Sequence, residues 1–350
     1  MTNFQELSNS LNGLKFIDLF AGIGGFHAAL KEFGAKCVFS SEWDKHAQKT
    51  YNENYGIMPE GDITKIEAEE IPRHDIICAG FPCQAFSISG NQRGFEDARG
   101  TLFFDVARIA KHHKPKVIFM ENVRNFENHD DGNTLKTVIG ALDDIGYDVW
   151  YKVLNASHYG LPQNRERIYL IAIKKDLNVK KFDFPNPTYK QICLRDITLP
   201  DGETEKYTIN RNDIRVDYSK VPGESLFNDN PLKPIRVGTI NKGGQGERIY
   251  SDLGHAVTLS AYGGGPGSKT GCYLINNKIR KLAPRECARL QGYPDHFKIP
   301  VSDAQAWKQF GNSVPINVLQ HIVKSLIITP ELSSLFDSEK SEEYKEVIAG

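Results

Sequence analysis

The chain has 350 residues, 40% hydrophobic and 25% charged, which is enough for one large domain and a smaller one. A formal net charge of −1 excludes a polycation, so attraction to a polyanion would have to come from a local basic surface. The sequence contains no apolar run of the ~20 residues that span a bilayer and no signal-peptide pattern. We therefore expect a cytoplasmic protein without a membrane partner.

Six cysteines are present, and none belongs to a C-x-x-C pair or to a histidine pattern typical of zinc sites. They are Cys37, Cys78, Cys83, Cys193, Cys272 and Cys287. We expect free thiols in a reducing compartment and no bound metal.

Short apolar runs alternate with segments of helical character up to about residue 190. The predicted strands are 16–20, 37–40, 76–79, 117–120, 149–154 and 168–173, and the predicted helices are 26–33, 45–54, 102–111 and 134–145. This alternation predicts an α/β fold with a mainly parallel sheet and helices on both faces.

The alternation stops after Pro185, where proline and glycine become frequent. Ten of the 34 residues from 238 to 271 are glycine. This composition predicts a small, loop-dominated domain that contacts an irregular ligand surface, without a second core. The charged tail after Pro330 is expected to be peripheral.

A glycine cluster follows the first strand in DLFAGIGGF, residues 18–26, where the backbone could approach a ligand closely. Its spacing is G-x-G-G, whereas a dinucleotide-binding loop favours G-x-G-x-x-G. Asp18 at the strand end could bind a ligand ammonium group. The alternative is a plain tight turn.

Polar and aromatic residues also lie in the next two loops along the chain, in EW (residues 42–43) and in GDIT (residues 61–64). Glu42 could bind a ribose diol, Trp43 could stack on a purine, and Asp62 could accept a hydrogen bond from an exocyclic amine. The alternatives are a helix-terminus charge for Glu42, a core position for Trp43 and a helix cap for Asp62. Because these two loops and the glycine loop are expected at one edge of the sheet, we favour the ligand interpretation.

The loop GFPCQAFSISG, residues 80–90, follows a predicted strand and carries Cys83 directly after Pro82. A cysteine on such a loop can be activated as a thiolate, although a single cysteine is more often structural. Glu121 ends the next strand and is a candidate acid. Arg165 and Arg167 lie two residues apart and could bind a carbonyl oxygen and a carboxylate, or could simply be solvated.

The chain resembles the cytosine-5 DNA methyltransferase family. The matching segments occur in the family's order over residues 14 to about 328: DLFAGIGGF, EW, GDIT, GFPCQAFS, ENV, QNRER, RKLAPRECARLQGYP and GNSVPINV. The resemblance implies the S-adenosylmethionine-dependent methyltransferase fold, a mostly parallel Rossmann-like sheet, with a smaller loop-rich target-recognition domain. The expected divisions are a discontinuous catalytic domain at 1–192 and 312–330, a recognition domain at 193–283, a hinge at 284–311 and a tail at 331–350.

The resemblance also implies roles for individual residues. Cofactor contacts are expected from Phe20, Gly22, Gly25, Glu42, Trp43, Asp62, Ile63, Leu102 and Asn312, together with Asp18, and chemistry from Cys83, Glu121, Arg165 and Arg167. Contacts with the extruded nucleotide or the gap it leaves are expected from Ser87, Ser89 and Gln245, and with the DNA backbone from Thr258. The expected basic surface consists of Lys233, Arg236, Lys242, Arg248, Lys269, Lys278, Arg280 and Lys281.

The implied activity is methyl transfer from S-adenosylmethionine to C5 of a flipped cytosine in double-stranded DNA, through a covalent Cys83 adduct. The variable segments KGGQGERIYS and HAVTLSAYGGG resemble those of family members that methylate the inner cytosine of GCGC. We expect a monomer in a restriction-modification system, with a cognate endonuclease as a functional and not a physical partner. The alternatives are a transfer-RNA cytosine-5 methyltransferase, a catalytically silent DNA-binding protein and an NAD oxidoreductase.

Overall fold

The structure is a computed structural model that describes residues 7–81, 101–223 and 232–332. Three of the predicted site residues, Cys83, Ser87 and Ser89, lie outside these ranges, as does most of the predicted tail, 333–350.

A six-stranded sheet forms the centre of the larger part of the molecule. Its strands are β1 (Lys15–Leu19), β2 (Lys36–Ser41), β3 (Ile76–Ala79), β4 (Val117–Val123), β5 (Tyr147–Asn155) and β6 (Glu166–Lys174). The spatial order is β2-β1-β3-β4-β6-β5, with parallel pairing from β2 to β4 and antiparallel pairing of β6 with both neighbours. The predicted mainly parallel sheet is confirmed. Because β6 runs antiparallel, it begins at the edge where β4 ends.

Helices cover both faces of this sheet, as expected. The first four are α1 (Gly25–Lys31), α2 (Lys45–Tyr55), α3 (Leu102–His113) and α4 (Asn133–Asp144). Successive strand residues point to opposite faces, so Phe119 packs in one core cluster with α1, whereas Ile118 and Met120 pack in the other with α3 and α4. The period-two apolar pattern of the strands therefore builds two separate cores.

A second, smaller sheet follows, and this part of the chain differs from the sequence-based expectation. Its strands are β7 (Ile214–Val216), β8 (Arg236–Ile240), β9 (Arg248–Ser251), β10 (Cys272–Ile275) and β11 (Lys278–Arg280), after the short helix α5 (Asp201–Thr204). The order is β11-β10-β9-β8-β7. Val237, Ile249 and Leu274 are buried in a small core of their own. The expectation of no second core was wrong, because three- to five-residue strands give too weak an apolar period to detect.

Three helices complete the described chain: α6 (Pro284–Leu290), α7 (Asp303–Asn312) and α8 (Ile316–Ile327). Leu319 and Ile322 of α8 join the same core as Phe26 of α1. The turn before α8 lies directly over the glycine loop, since a Cβ on Gly25 would come within 2.4 Å of Val314 Cγ2. None of the helices in the described ranges is long and apolar enough to cross a membrane.

Candidate active site

The loop after β1 passes close to the turn after β2. Phe20 and Gly22 both have φ 55°, and the Gly22 amide donates to Glu42 Oε2 at 2.8 Å. A Cβ on Gly22 would meet no atom of the described ranges within 4 Å, so the loop is open there to those parts of the chain. The other carboxylate oxygen of Glu42 accepts from the Asp44 amide at 2.8 Å. Glu42 thus joins two loops of the sheet edge, and Asp44, not Glu42, caps α2.

Asp18 lies beneath this loop with only 1% of its surface exposed. Its Oδ2 accepts from the Tyr51 hydroxyl at 3.5 Å, and its Oδ1 has no hydrogen-bond partner among the described residues. Burial, with a smaller contribution from the charge of Glu42, raises the pKa of Asp18 well above its usual value. A buried carboxylate with an unused oxygen is suited to an ammonium group, which would supply the missing donor and counter-charge.

The predicted purine-facing residues occupy different environments. Trp43 is 79% exposed, so the core interpretation of this residue was wrong. Asp62 caps the short 3₁₀ helix Ile63–Lys65, its Oδ1 accepting from the Thr64 amide at 3.1 Å. The Ile63 side chain is buried in the core, so any contact with a ligand would have to come from its backbone.

Two further residues attributed to this edge lie at helix ends. Leu102 is the first residue of α3, whose N-terminus is capped by Thr101 Oγ1. Asn312 is the last residue of α7 and is exposed. An exposed indole, an open glycine loop and an unpartnered carboxylate oxygen together fit a ligand that has a purine, a ribose and an ammonium group.

Glu121 and Arg167 form the centre of the second group of site residues. Arg167 Nε lies 3.0 Å from Glu121 Oε1, and both side chains are largely buried. Burial raises the pKa of Glu121, and the charges of Arg167 and Arg165 partly oppose that rise. Gly80, three residues before Cys83, faces this pair, with its ideal Cβ position 3.8 Å from Glu121 Oε2.

Asn122, the neighbour of Glu121, is a site residue that sequence reasoning missed. It is buried, and its Nδ2 donates to the Phe81 carbonyl at 3.0 Å. Phe81 precedes Pro82 and Cys83, so this bond holds the chain at the point where the segment that carries Cys83 begins. The signal was available in the sequence, since a buried asparagine inside an apolar strand requires a partner.

Arg165 is 2% exposed and binds backbone from two other parts of the chain. Its Nη1 donates to the Leu259 carbonyl at 3.0 Å, and its Nη2 donates to the carbonyls of Gly311 at 3.0 Å and Ser313 at 2.6 Å. Burial lowers the pKa of Arg165 to about 9. Arg165 is therefore a positioning residue, and the solvated interpretation of this arginine was wrong.

The segment before Arg165 makes a second set of bonds to the same region. Gln163 is fully buried, with its Oε1 accepting from the Leu259 amide at 3.1 Å and its Nε2 donating to the Leu290 carbonyl at 2.9 Å. Thr258 Oγ1 donates to the Asn164 carbonyl. The Thr258 hydroxyl thus has a protein partner at this junction.

Gln245 lies at the tip of a tight loop before β9. The Glu247 carboxylate closes the loop by accepting from the Gly244 amide at 2.9 Å and from Asn241 Nδ2 at 3.1 Å. Gly246, at φ 84°, packs against a second glycine loop, and a Cβ there would lie 2.3 Å from the Gly264 carbonyl oxygen. A side chain at position 246 would therefore force the two glycine loops apart.

The structure corrects the predicted basic surface. Arg280 is buried, and both its Nη atoms donate to the Glu286 carboxylate, so it cannot contact a phosphate. Lys278 donates to Glu205 at 2.7 Å, and the ammonium of Lys281 lies over the Trp307 ring at 4.1 Å. The exposed members of the predicted surface are Lys233, Arg236, Lys242 and Arg248. Sequence position alone could not separate cations with a carboxylate partner from exposed ones.

Comparisons with known proteins show which sequences and folds this chain is similar to. The sequence model of the C-5 cytosine-specific DNA methylases matches residues 14–328. The chain is 56% identical over 316 residues to the type II methyltransferase M.HhaI of Haemophilus parahaemolyticus, covering 90% of this chain and 95% of that protein. It is 44% identical over 341 residues to the type II methyltransferase M.HpaII of Haemophilus parainfluenzae, covering 92% and 91%.

Solved structures share the fold. The Dnmt2 methyltransferase of S. pombe superimposes with a TM-score of 0.63 at 21% identity, covering 90% of this chain and 98% of that one. The Entamoeba histolytica methyltransferase EhMeth gives 0.64 at 17% identity, with the same coverage of 90% and 98%. These similarities show the fold, and together with the family model that matches residues 14–328 they establish the S-adenosylmethionine-dependent methyltransferase architecture.

Proposed function

The chain belongs to the C-5 cytosine-specific DNA methylase family and is a DNA (cytosine-5)-methyltransferase, and from this we propose that Cys83 is its nucleophile and Glu121 its acid. The observation that carries the proposal is the position of Gly80, at the start of the Cys83 loop, facing the pair formed by Glu121 and Arg167. Cys83 follows Gly80 by three residues, and three residues of chain span at most ~11 Å, which is short enough for Cys83 to reach the same site.

S-adenosylmethionine supplies an electrophilic methyl group when it is bound. We propose that Asp18 and the loop of Phe20, Gly22 and Gly25, which is open at Gly22, hold its methionine part. Glu42 would bind the ribose, Trp43 the adenine face, and Asp62 the adenine amine. The backbone of Ile63, together with Leu102 and Asn312, would complete the pocket. The unpartnered Asp18 Oδ1 and the exposed Trp43 support this placement.

The first chemical step is addition of the Cys83 thiolate to C6 of cytosine, because C5 of the aromatic ring is a poor nucleophile. The electron pair of the C5–C6 double bond moves into the ring towards N3. Glu121 donates its proton at N3, and its raised pKa suits it to be protonated. Arg167 donates to O2, while Arg165 holds the surrounding backbone.

In the second step C5, now part of an enamine, would take the methyl group of bound S-adenosylmethionine: the new carbon–carbon bond forms as the methyl–sulfur bond breaks, and the bonding electron pair stays on sulfur, which leaves as a neutral thioether. A base then removes the proton from C5, the C5–C6 double bond forms again, and Cys83 leaves as the thiolate. The ring nitrogen returns its proton to Glu121. The enzyme residues are thereby restored for the next turnover.

C5 and C6 of cytosine cannot be reached inside a duplex, so we propose that the cytosine rotates out of the helix. The lost stacking and base pairing cost a few kcal/mol. Gln245, at its glycine-flanked loop tip, would enter the gap and bind the unpaired guanine. Ser87 and Ser89 would contact the flipped nucleotide. Thr258 would support the DNA backbone, and Arg248 with its exposed basic neighbours would bind DNA.

We propose GCGC as the recognition sequence, with the inner cytosine methylated, because of the resemblance in the segments KGGQGERIYS and HAVTLSAYGGG. The recognition domain would span 193–283, joined by a hinge at 284–311 to a catalytic domain at 1–192 and 312–330. We further propose that the enzyme acts as a monomer in the cytoplasm, within a restriction-modification system that includes a cognate endonuclease. Relatives named as type II methyltransferases favour DNA over RNA as the substrate.

A duplex with 5-fluorocytosine at the inner position of GCGC tests the nucleophile. Fluorine cannot leave C5 as a cation, so the adduct should persist through denaturing electrophoresis and map to Cys83. Cys83→Ala should give neither adduct nor methylation. An adduct that forms with Cys83→Ala, or wild-type turnover without trapping, would show that another residue is the nucleophile. Bisulfite sequencing of methylated plasmid DNA would show whether GCGC is the target.

A further inference from the structure

An ion pair joins the proposed cofactor edge to a helix near the end of the chain. Lys308 Nζ, on α7, donates to Asp44 Oδ2 at 2.7 Å, across 264 residues of sequence. Both side chains are partly buried, with exposed fractions of 31% for Lys308 and 24% for Asp44. Although burial alone would raise it, the bonds from Lys308 and from α2 hold the pKa of Asp44 below its usual value. The hydrogen bond to Asp44 raises the pKa of Lys308, so the pair is charged near neutral pH.

Asp44 connects this pair to the residues proposed to bind S-adenosylmethionine. Its other oxygen, Oδ1, caps α2 by accepting from the amides of His46 and Ala47 at 2.9 and 3.2 Å. Its own amide donates to Glu42 Oε1 at 2.8 Å. Trp43 lies between Glu42 and Asp44 in the sequence. The orientation of Asp44 therefore affects the backbone of the turn formed by residues 42–44.

α7 is in turn held by other parts of the molecule. Lys269, from the second glycine loop, donates to the Ala304 carbonyl at 3.1 Å, and Arg165 donates to the Gly311 carbonyl at 3.0 Å. Lys308 therefore projects to the cofactor edge from a helix that is fixed at both ends.

We propose that Lys308 is a positioning residue for the cofactor: it holds Asp44, and through Asp44 the turn that carries Glu42 and Trp43, in the orientation that binds S-adenosylmethionine. This inference rests on the proposed placement of the cofactor. It requires no contact between Lys308 and the cofactor, and it assigns the effect of Lys308 to cofactor affinity and not to the chemical step.

The test compares Lys308→Met with Lys298→Met. Lys298 lies on the same stretch of chain and its ammonium is 3.7 Å from Glu53 of α2, but it bonds α2 mainly through its backbone, to Asn54. Calorimetry on the full-length protein should show S-adenosylmethionine affinity about tenfold weaker for Lys308→Met, or about 1.4 kcal/mol, and unchanged for Lys298→Met. The kcat at saturating cofactor should match the wild type in both variants. Thermal unfolding checks that both are folded.

A double-mutant cycle shows whether Lys308→Met weakens cofactor binding through loss of the ion pair with Asp44 or through a separate local change in structure. Asp44→Asn keeps a good helix cap but loses the charge, so it should weaken cofactor binding about as much as Lys308→Met. The double variant should be no weaker than either single one. Affinity that is unchanged in Lys308→Met, or effects that add in the double variant, would overturn the inference.

Trp43→Ala distinguishes failure of this inference from failure of the proposed function. If Trp43→Ala weakens cofactor binding and Lys308→Met does not, only the positioning role of Lys308 is wrong. If Trp43→Ala leaves the affinity unchanged, the cofactor placement is wrong, and the role of Lys308 is overturned with it.

Discussion

Arg167 Nε lies 3.0 Å from Glu121 Oε1 because β6 runs antiparallel to β4 and pairs Arg167 with Val123, two residues beyond the acid. The arginine therefore neighbours the group that it would assist, on the same sheet edge. Burial raises the pKa of Glu121 despite this cation, so the carboxyl keeps its proton to a higher pH than a free glutamic acid does.

Glu121→Gln should lower kcat by roughly 10²–10⁴-fold, the usual contribution of a general acid, while leaving DNA affinity nearly unchanged. In the wild type, the rate that depends on protonated Glu121 should fall as the pH rises through the raised pKa. The variant should lack this fall in rate, the alkaline limb of the pH–rate profile. Steady-state measurement of kcat across pH checks it. An alkaline limb of the same position in Glu121→Gln would assign it to another group.

Trp43→Ala should weaken S-adenosylmethionine binding by about 1–3 kcal/mol, the range for stacking of a base on an aromatic side chain. DNA affinity should be unaffected. Because Trp43 is 79% exposed, the thermal midpoint should also stay the same. Calorimetry with each ligand checks the first two outcomes, and a large loss of stability would contradict the exposed position.

DNA binding should weaken strongly with salt despite the near-neutral net charge, because exposed cations cluster between 233 and 248. Lys242→Ala should reduce the slope of log affinity against log salt by about 1. Lys278→Ala is the matched control, since its ammonium already pairs with Glu205, and its slope should equal that of the wild type. A flat salt response of the wild type would exclude the phosphate-binding role of the cluster.

Arg165→Met should destabilise the protein by roughly 3 kcal/mol or more, because three buried carbonyls lose their donor at about 1–3 kcal/mol each. Arg211→Met is a suitable comparison, since Arg211 pairs with Asp213 on the exposed surface, and it should change stability by less than about 0.5 kcal/mol. Urea unfolding measures both. Equal stability of the two variants would mean that the Arg165 bonds contribute little.

Much of the catalytic architecture followed from local patterns. Short apolar runs and segments of helical character place β1 to β6 and α1 to α4 within a few residues of their observed bounds, because each element needs only its own side chains to face a core. Candidate site residues such as Asp18, Glu42 and Glu121 were found from such patterns, whereas others, such as Leu102 and Asn312, came from the family resemblance. Carboxyl ends of parallel strands share one sheet edge, so loops far apart in sequence could be grouped before any contact was known.

The tertiary structure decided which polar groups are partners. The burial of Arg280 against Glu286 has no local signature. The apolar strand around Asn122 shows that this residue needs a partner, but not that the partner is the Phe81 carbonyl. The second core is built from strands too short to show a period. Lys308 and Asp44 lie 264 residues apart. The sequence by itself determined the family, the fold class and the candidate residues, because hydrophobic periodicity and motif order are local. Hydrogen bonds and ion pairs between distant segments depend on how the elements pack, so only the folded chain assigns them.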